Sequence, residues 1–62
     1  MTKRWKSKDV KPTENKVYER RYESGVFYCR WENGHWYDSA SNINEAAKAI
    51  WLSQAKLPWR EI

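Results

Sequence analysis

Four side chains able to donate, accept or carry charge, Tyr28, Arg30, His35 and Tyr37, flank a single dipeptide, Asn33-Gly34. An arginine can pair with a guanine edge through two hydrogen bonds, and Tyr and His offer hydroxyl or ring contacts to bases and phosphate. Such residues suit nucleic-acid recognition if one surface presents them together. The dipeptide dictates how they are arranged. Asn-Gly closes two-residue hairpins, because a type I′ turn needs φ > 0 at both central residues. The turn places Glu32 opposite His35, Trp31 opposite Trp36, Arg30 opposite Tyr37, Cys29 opposite Asp38, Tyr28 opposite Ser39 and Phe27 opposite Ala40. Opposed residues share a face. One face then holds Phe27, Cys29, Trp31, Trp36 and Ala40, with Asp38 out of character, and reads as a core. The other holds Val26, Tyr28, Arg30, Glu32, His35, Tyr37 and Ser39. Antiparallel sheets often leave one side in water, so this second face is either a solvated surface or a contact surface.

Catalysis finds little footing. His35 is the single histidine and flanks a turn. Cys29 falls on the core face, where a thiol serves as a small apolar group, and no motif beside it would make it a nucleophile. Asp38 is placed to accept an indole N–H or to cap a backbone group. There is no glycine-rich phosphate loop and no Cys/His spacing for zinc. The expectation is a non-catalytic protein without cofactor or metal.

A chain of 62 residues makes one small domain, near the lower limit for folding without a staple. One cysteine excludes an internal disulfide. The core must come from large side chains, and five Trp, four Tyr and one Phe supply them. The net charge of +4 is unevenly spread. Lys3, Arg4, Lys6, Lys8 and Lys11 face only Asp9 within residues 1–13, whereas the remainder carries as many acidic as basic side chains. Residues 1–15 therefore read as a basic, flexible arm with Trp5 as its anchor, ahead of a neutral domain over residues 16–62. Arg4, Lys6, Lys8 and Lys11 are the arm's candidate phosphate contacts. No stretch is long and apolar enough to span a membrane, and the start lacks a signal-peptide apolar region. A chain that begins with Met1 and has one free cysteine is expected to be complete and cytoplasmic.

The elements that must position these groups follow from pattern. Residues 16–23 form a first strand, and Ser24-Gly25 turns it into the second. A two- or four-residue loop puts Tyr18, Arg20 and Tyr22 on the core side. A three-residue loop with Gly25 in a bulge puts them with Tyr28, Arg30 and Tyr37. The three-residue form is preferred because it keeps Arg20 out of the core. Residues 42–56 form a helix with Asn42 as cap and Glu45 three residues on. Ile43, Ala46, Ala47 and Ile50 repeat at helical spacing, and Ala46 and Ala47 would let the helix approach Trp31 and Trp36. Pro58 ends it, and Leu57, Trp59 and Ile62 cover one end of the core, with a short fourth strand possible there. The fold class is α+β, a three-stranded antiparallel sheet packed on one C-terminal helix.

The β-β-β-α order, the turn-closed hairpin, the Glu-Ala-Ala-x-Ala helix start at residues 45–49 and the stretch Gly25-Val26-Phe27-Tyr28-Cys29-Arg30 together carry a resemblance. Over residues 16–56 the chain resembles the plant AP2/ERF domain and the arm-site-binding N-terminal domains of phage and transposon integrases. That resemblance implies double-stranded DNA as partner, with a three-stranded sheet in the major groove and the helix behind it. Arg20, Tyr28, Arg30, His35 and Tyr37 would touch the groove, and Arg4, Lys6, Lys8 and Lys11 the phosphates. The sheet carries Glu19, Glu23 and Glu32 and is less basic than a typical AP2 sheet. In size and Trp content the chain also resembles small phage-encoded proteins that bind and inhibit a host protein, such as RNA polymerase or a CRISPR effector. On that likeness Tyr28, Arg30, Tyr37 and Trp59 become protein-interface anchors.

Overall fold

The Asn33-Gly34 turn forms as its residue types require, with φ of 53° at Asn33 and 82° at Gly34. The computed structural model that contains it describes residues 3–62, so the first two residues of the expected arm lie outside the described part. Among the described residues four strands, β1 (Lys16–Tyr22), β2 (Gly25–Glu32), β3 (His35–Trp36) and β4 (Trp59–Arg60), and one helix, α1 (Ile43–Ala47), build an α+β domain. The strands make one antiparallel sheet in the order β3-β2-β1-β4. The C-terminal tail thus supplies a fourth strand, next to β1.

The first hairpin departs from the preferred register. Tyr22 pairs with Gly25 and Arg20 with Phe27, across a loop of Glu23 and Ser24. Gly25 holds a φ of 143°, which favours glycine. Tyr18, Arg20 and Tyr22 consequently share the face of Phe27, Cys29 and Trp31, and Arg20 is wholly buried, at 0% exposure. Two interactions make an interior arginine tolerable: its guanidinium carbon lies 4.4 Å from the Trp36 ring centroid, and Nη2 donates to the Ala55 carbonyl at 2.7 Å. The three-residue register would instead have turned Glu19 and Arg21 inward. In the structure Glu19 pairs with Arg60 and Arg21 is exposed.

The second hairpin keeps the expected register next to its turn, with Trp31 opposite Trp36. Further on, Tyr28 pairs with Ala40 rather than with Ser39. One extra residue is absorbed at Asp38-Ser39, which is a bulge. The Asp38 N–H turns outward to the Trp51 carbonyl at 2.9 Å, and Ala40 moves from the core face to the Tyr28 face.

Asn42 caps α1 as expected, its Oδ1 accepting from the Glu45 N–H at 2.8 Å. The helix then stops at Ala47 instead of running to residue 56. Arg30 donates to the carbonyls of Ala47 (3.2 Å) and Ala49 (2.7 Å). Residues 51–53 pair with the outer edge of β3, Ser53 donating to the Trp36 carbonyl at 2.9 Å. Backbone pairing along that edge wins over the helix propensity of an Ala-rich stretch. Arg30 and Ala40 belong to the Tyr28 face, so the helix they hold lies across the sheet from Trp31 and Trp36. Ala46 is buried there, but Ile50 and Trp51 are 75% and 70% exposed. The expected packing of Ala46 and Ala47 on the two tryptophans does not occur.

The core is an aromatic cluster of Tyr18, Trp31 and Trp59, with Trp36 packed against it. Tyr18 meets Trp59 edge-on at 4.9 Å, and Trp31 meets Trp36 at 5.0 Å. Such pairs add about 0.5–1.5 kcal/mol each beyond their buried area. Trp59→Ala is expected to cost about 3–5 kcal/mol, against a total of about 3–9 kcal/mol for a chain of this length. Urea denaturation should show its cooperative transition lost or shifted far down, whereas Trp51→Ala should stay within about 0.5 kcal/mol of the parent.

Candidate functional site

The basic segment is fastened to the sheet at more points than Trp5. Lys6 and Trp59 exchange backbone hydrogen bonds of 2.7 and 3.2 Å, which extends the sheet past β4. The Trp59 indole N–H donates to the Val10 carbonyl, and Pro12 is buried. On the other face the Arg60 guanidinium stacks 4.2 Å from the Trp5 ring centroid. Residues 8–11 are thereby brought alongside the aromatic face, opposite the irregular stretch 53–58.

Between these two stretches lies a groove of about 480 Å³. Trp31, Trp36 and Leu52 supply apolar wall, and Lys8, Lys11, Lys56, His35 and buried Arg20 supply cationic or hydrogen-bonding groups. Asp9 is the one carboxylate in its lining. Lys8, Lys11, His35 and Arg20, all singled out from the sequence, meet here. Lys56 and the tail that covers Arg20 were not. Their placement depends on residues 53–58 crossing from the β3 edge to β4, and no local pattern announces that path.

The other expected site residues lie elsewhere. Arg4 and Lys6 are exposed, on the segment that borders β4. Tyr28, Arg30 and Tyr37 do share the opposite face, but all three are only half exposed. The Arg30 guanidinium lies 4.0 Å from the Tyr37 ring centroid, donates to two carbonyls at the end of α1, and approaches Glu32 at 3.7 Å. Both Nη atoms thus donate within the protein, and Nε is buried without a hydrogen-bond partner. Arg20 is the clearest correction: it was expected beside Tyr28 and Arg30, and the two-residue loop turns it to the reverse side.

Arg20 is also electrostatically unusual. Nε and Nη1 are buried and have no hydrogen-bond partner. A buried lysine could escape by losing its proton, but a guanidinium remains charged. No carboxylate pairs with it among the described residues. Nearby, burial pushes the Cys29 thiol above its ordinary value of 9.0, while the Tyr22 hydroxyl and Arg20 pull the other way. Burial likewise raises Tyr18 and Tyr22 above 10.0. Among the described residues no group of three His, Cys, Asp or Glu could hold a metal ion, and no helix is long and apolar enough to cross a membrane.

No family model matches this chain, and neither a curated protein nor a solved structure is significantly similar to it.

Two outcomes follow from this geometry. Replacing buried ion pairs with apolar side chains of similar volume is often neutral or stabilising, by about 1–4 kcal/mol, and a buried charge without a counter-ion has less still to offset its desolvation. Arg20→Met should therefore fold with an unchanged or higher denaturation midpoint. The second concerns pH. The folded state holds Cys29, Tyr18 and Tyr22 neutral, whereas the unfolded chain ionises them near their ordinary values of 9.0 and 10.0. Their contribution is complete below those values and is lost as pH rises through the higher folded ones. Thermal melts should give a Tm that these groups leave unchanged up to about pH 8 and lower progressively above about pH 9.

Proposed function

We propose that this chain is a small non-catalytic DNA-binding protein, acting in the cytoplasm and contacting phosphates through Arg4, Lys6, Lys8 and Lys11. The observation that carries the reading is the way the basic segment is fastened along the β4 edge, so that its lysines stand beside a groove bordered by Lys56 and His35. Cations already held in place lose less freedom on meeting a phosphate backbone than those of a loose arm. Contacts of this kind position a protein on a duplex without reading its sequence. Insertion of the Tyr28–Arg30–Tyr37 face into the major groove receives no such support, because α1 and Tyr37 occupy Arg30. Titration of mixed-sequence duplex across salt concentrations tests the reading. Four neutralised phosphates predict a slope of log K on log salt near about −3.6, and Lys8→Ala with Lys11→Ala should flatten it by about 1.8. Absence of binding at low salt would overturn it.

One observation favours a host protein as partner instead. Ile50, Trp51 and Leu52 stand exposed in a row, and an exposed aromatic–aliphatic patch is typical of protein interfaces. Capture from nuclease-treated bacterial lysate separates the two. A single stoichiometric protein, lost with Trp51→Ala, selects the second reading.

A further inference from the structure

We propose that the groove between residues 8–11 and 53–56 is a binding site for one phosphate group of a phosphomonoester, with Arg20 at its floor and the ligand's body against Trp31 and Trp36. The inference goes beyond the duplex reading. It shares Lys8 and Lys11 with it but stands on Arg20.

Three observations carry it. Arg20 is wholly buried and lines the groove, as does Ala55, the acceptor of its Nη2. Its Nε and Nη1 hold three of the five guanidinium N–H groups and donate to nothing; both are closed off from solvent, so a phosphate meets them only as the covering 53–56 stretch yields. Buried donors left unmade are costly, and a site built for a ligand is a place where such a cost is met by binding. Second, the charge around the groove is one-sided: Lys8, Lys11 and Lys56 join Arg20 against Asp9 alone. Such an excess suits a phosphomonoester, which brings close to two negative charges and several acceptor oxygens, better than a single carboxylate. Third, the walls are aromatic. The guanidinium is stacked on Trp36, which fixes its plane, and Trp31 and Leu52 leave an apolar flank for the organic part. A few convergent polar groups in a largely apolar cleft are the usual make-up of a small-ligand site.

The tryptophans report occupancy directly. The intact protein is titrated with inorganic phosphate, with a nucleoside monophosphate and with acetate, each against sodium chloride at matched ionic strength, and indole fluorescence is followed. The expected result is a saturable change with phosphate in the millimolar range or tighter, stronger with the nucleotide and absent with acetate. Arg20→Met, checked for folding by near-ultraviolet circular dichroism, should weaken it at least about tenfold. Lys11→Gln and Lys56→Gln change exposed side chains, keep the fold and should each weaken it several-fold. A response to phosphate no larger than the chloride control, an equal response to acetate, or full retention in folded Arg20→Met each overturns the inference. If phosphate is silent while duplex binds with the expected salt slope, this inference alone fails. If phosphate saturates and duplex does not bind, the duplex reading alone fails.

Discussion

Trp59 is the residue on which the separate parts of this fold converge. Its backbone pairs with Arg20 of β1 on one side and with Lys6 on the other. Its ring packs edge-on against Tyr18 and lies 6.2 Å from Trp36. Its indole nitrogen takes the Val10 carbonyl. First strand, hairpin, N-terminal segment and C-terminal tail are thus held by one side chain and one peptide unit. A chain this small, with no disulfide, cannot distribute such a role over many residues. The placement of Lys8 and Lys11 depends on it, because the indole N–H holds Val10 between them and the backbone holds Lys6 just before them.

The interior that Trp59 closes contains a permanent positive charge. Two other arginines are held by more partners, although Arg30 also keeps a buried Nε without a hydrogen bond. Arg60 has Glu19 and the Trp5 ring. Arg30 has the Ala47 and Ala49 carbonyls and the Tyr37 ring, which makes it a clamp between the sheet and the end of the helix. Arg20 is treated differently, with one carbonyl and one indole face. The contrast gives the two sides of the sheet different characters. The Tyr28 side is consumed by internal structure, and the aromatic side keeps a cleft with unspent hydrogen-bonding capacity.

Local chemistry was readable where it acted locally. Asn33-Gly34 specified its hairpin, and with it the Trp31–Trp36 pair. Asn42 specified the start of the helix. The tail was readable as a cover for the core. What escaped depended on competition between distant segments. The Ser24-Gly25 turn allows either parity, and the outcome turned on whether Trp36 and Ala55 could accommodate Arg20, partners far away along the chain. The end of the helix was illegible for the same reason. Residues 48–56 have helical composition, but Arg30 takes the carbonyls after Ala47 and the free edge of β3 recruits residues 51–53. Once the bulge at Asp38-Ser39 moved Ala40 across, the helix followed it to the far face. Lys8 and Lys11 were named from charge and Arg20 and His35 from the strand pattern, and Lys56 was not named. Their gathering around a buried arginine is a tertiary event.

The two outermost strands of the sheet are each two residues long. Each is partnered on its outward side by an isolated bridge, Lys6 on β4 and Leu52 opposite Tyr37 beyond β3. A small sheet with an exposed Trp51 and many β-forming residues would ordinarily offer its margins to other copies of itself. Here an irregular segment already pairs with each outer strand, and a lysine stands at one of these bridges. The short, irregular trimmings of this sheet therefore act as a guard against self-templating. They let a small domain carry Ile50 and Trp51 in the open without presenting a ladder on which chains could stack.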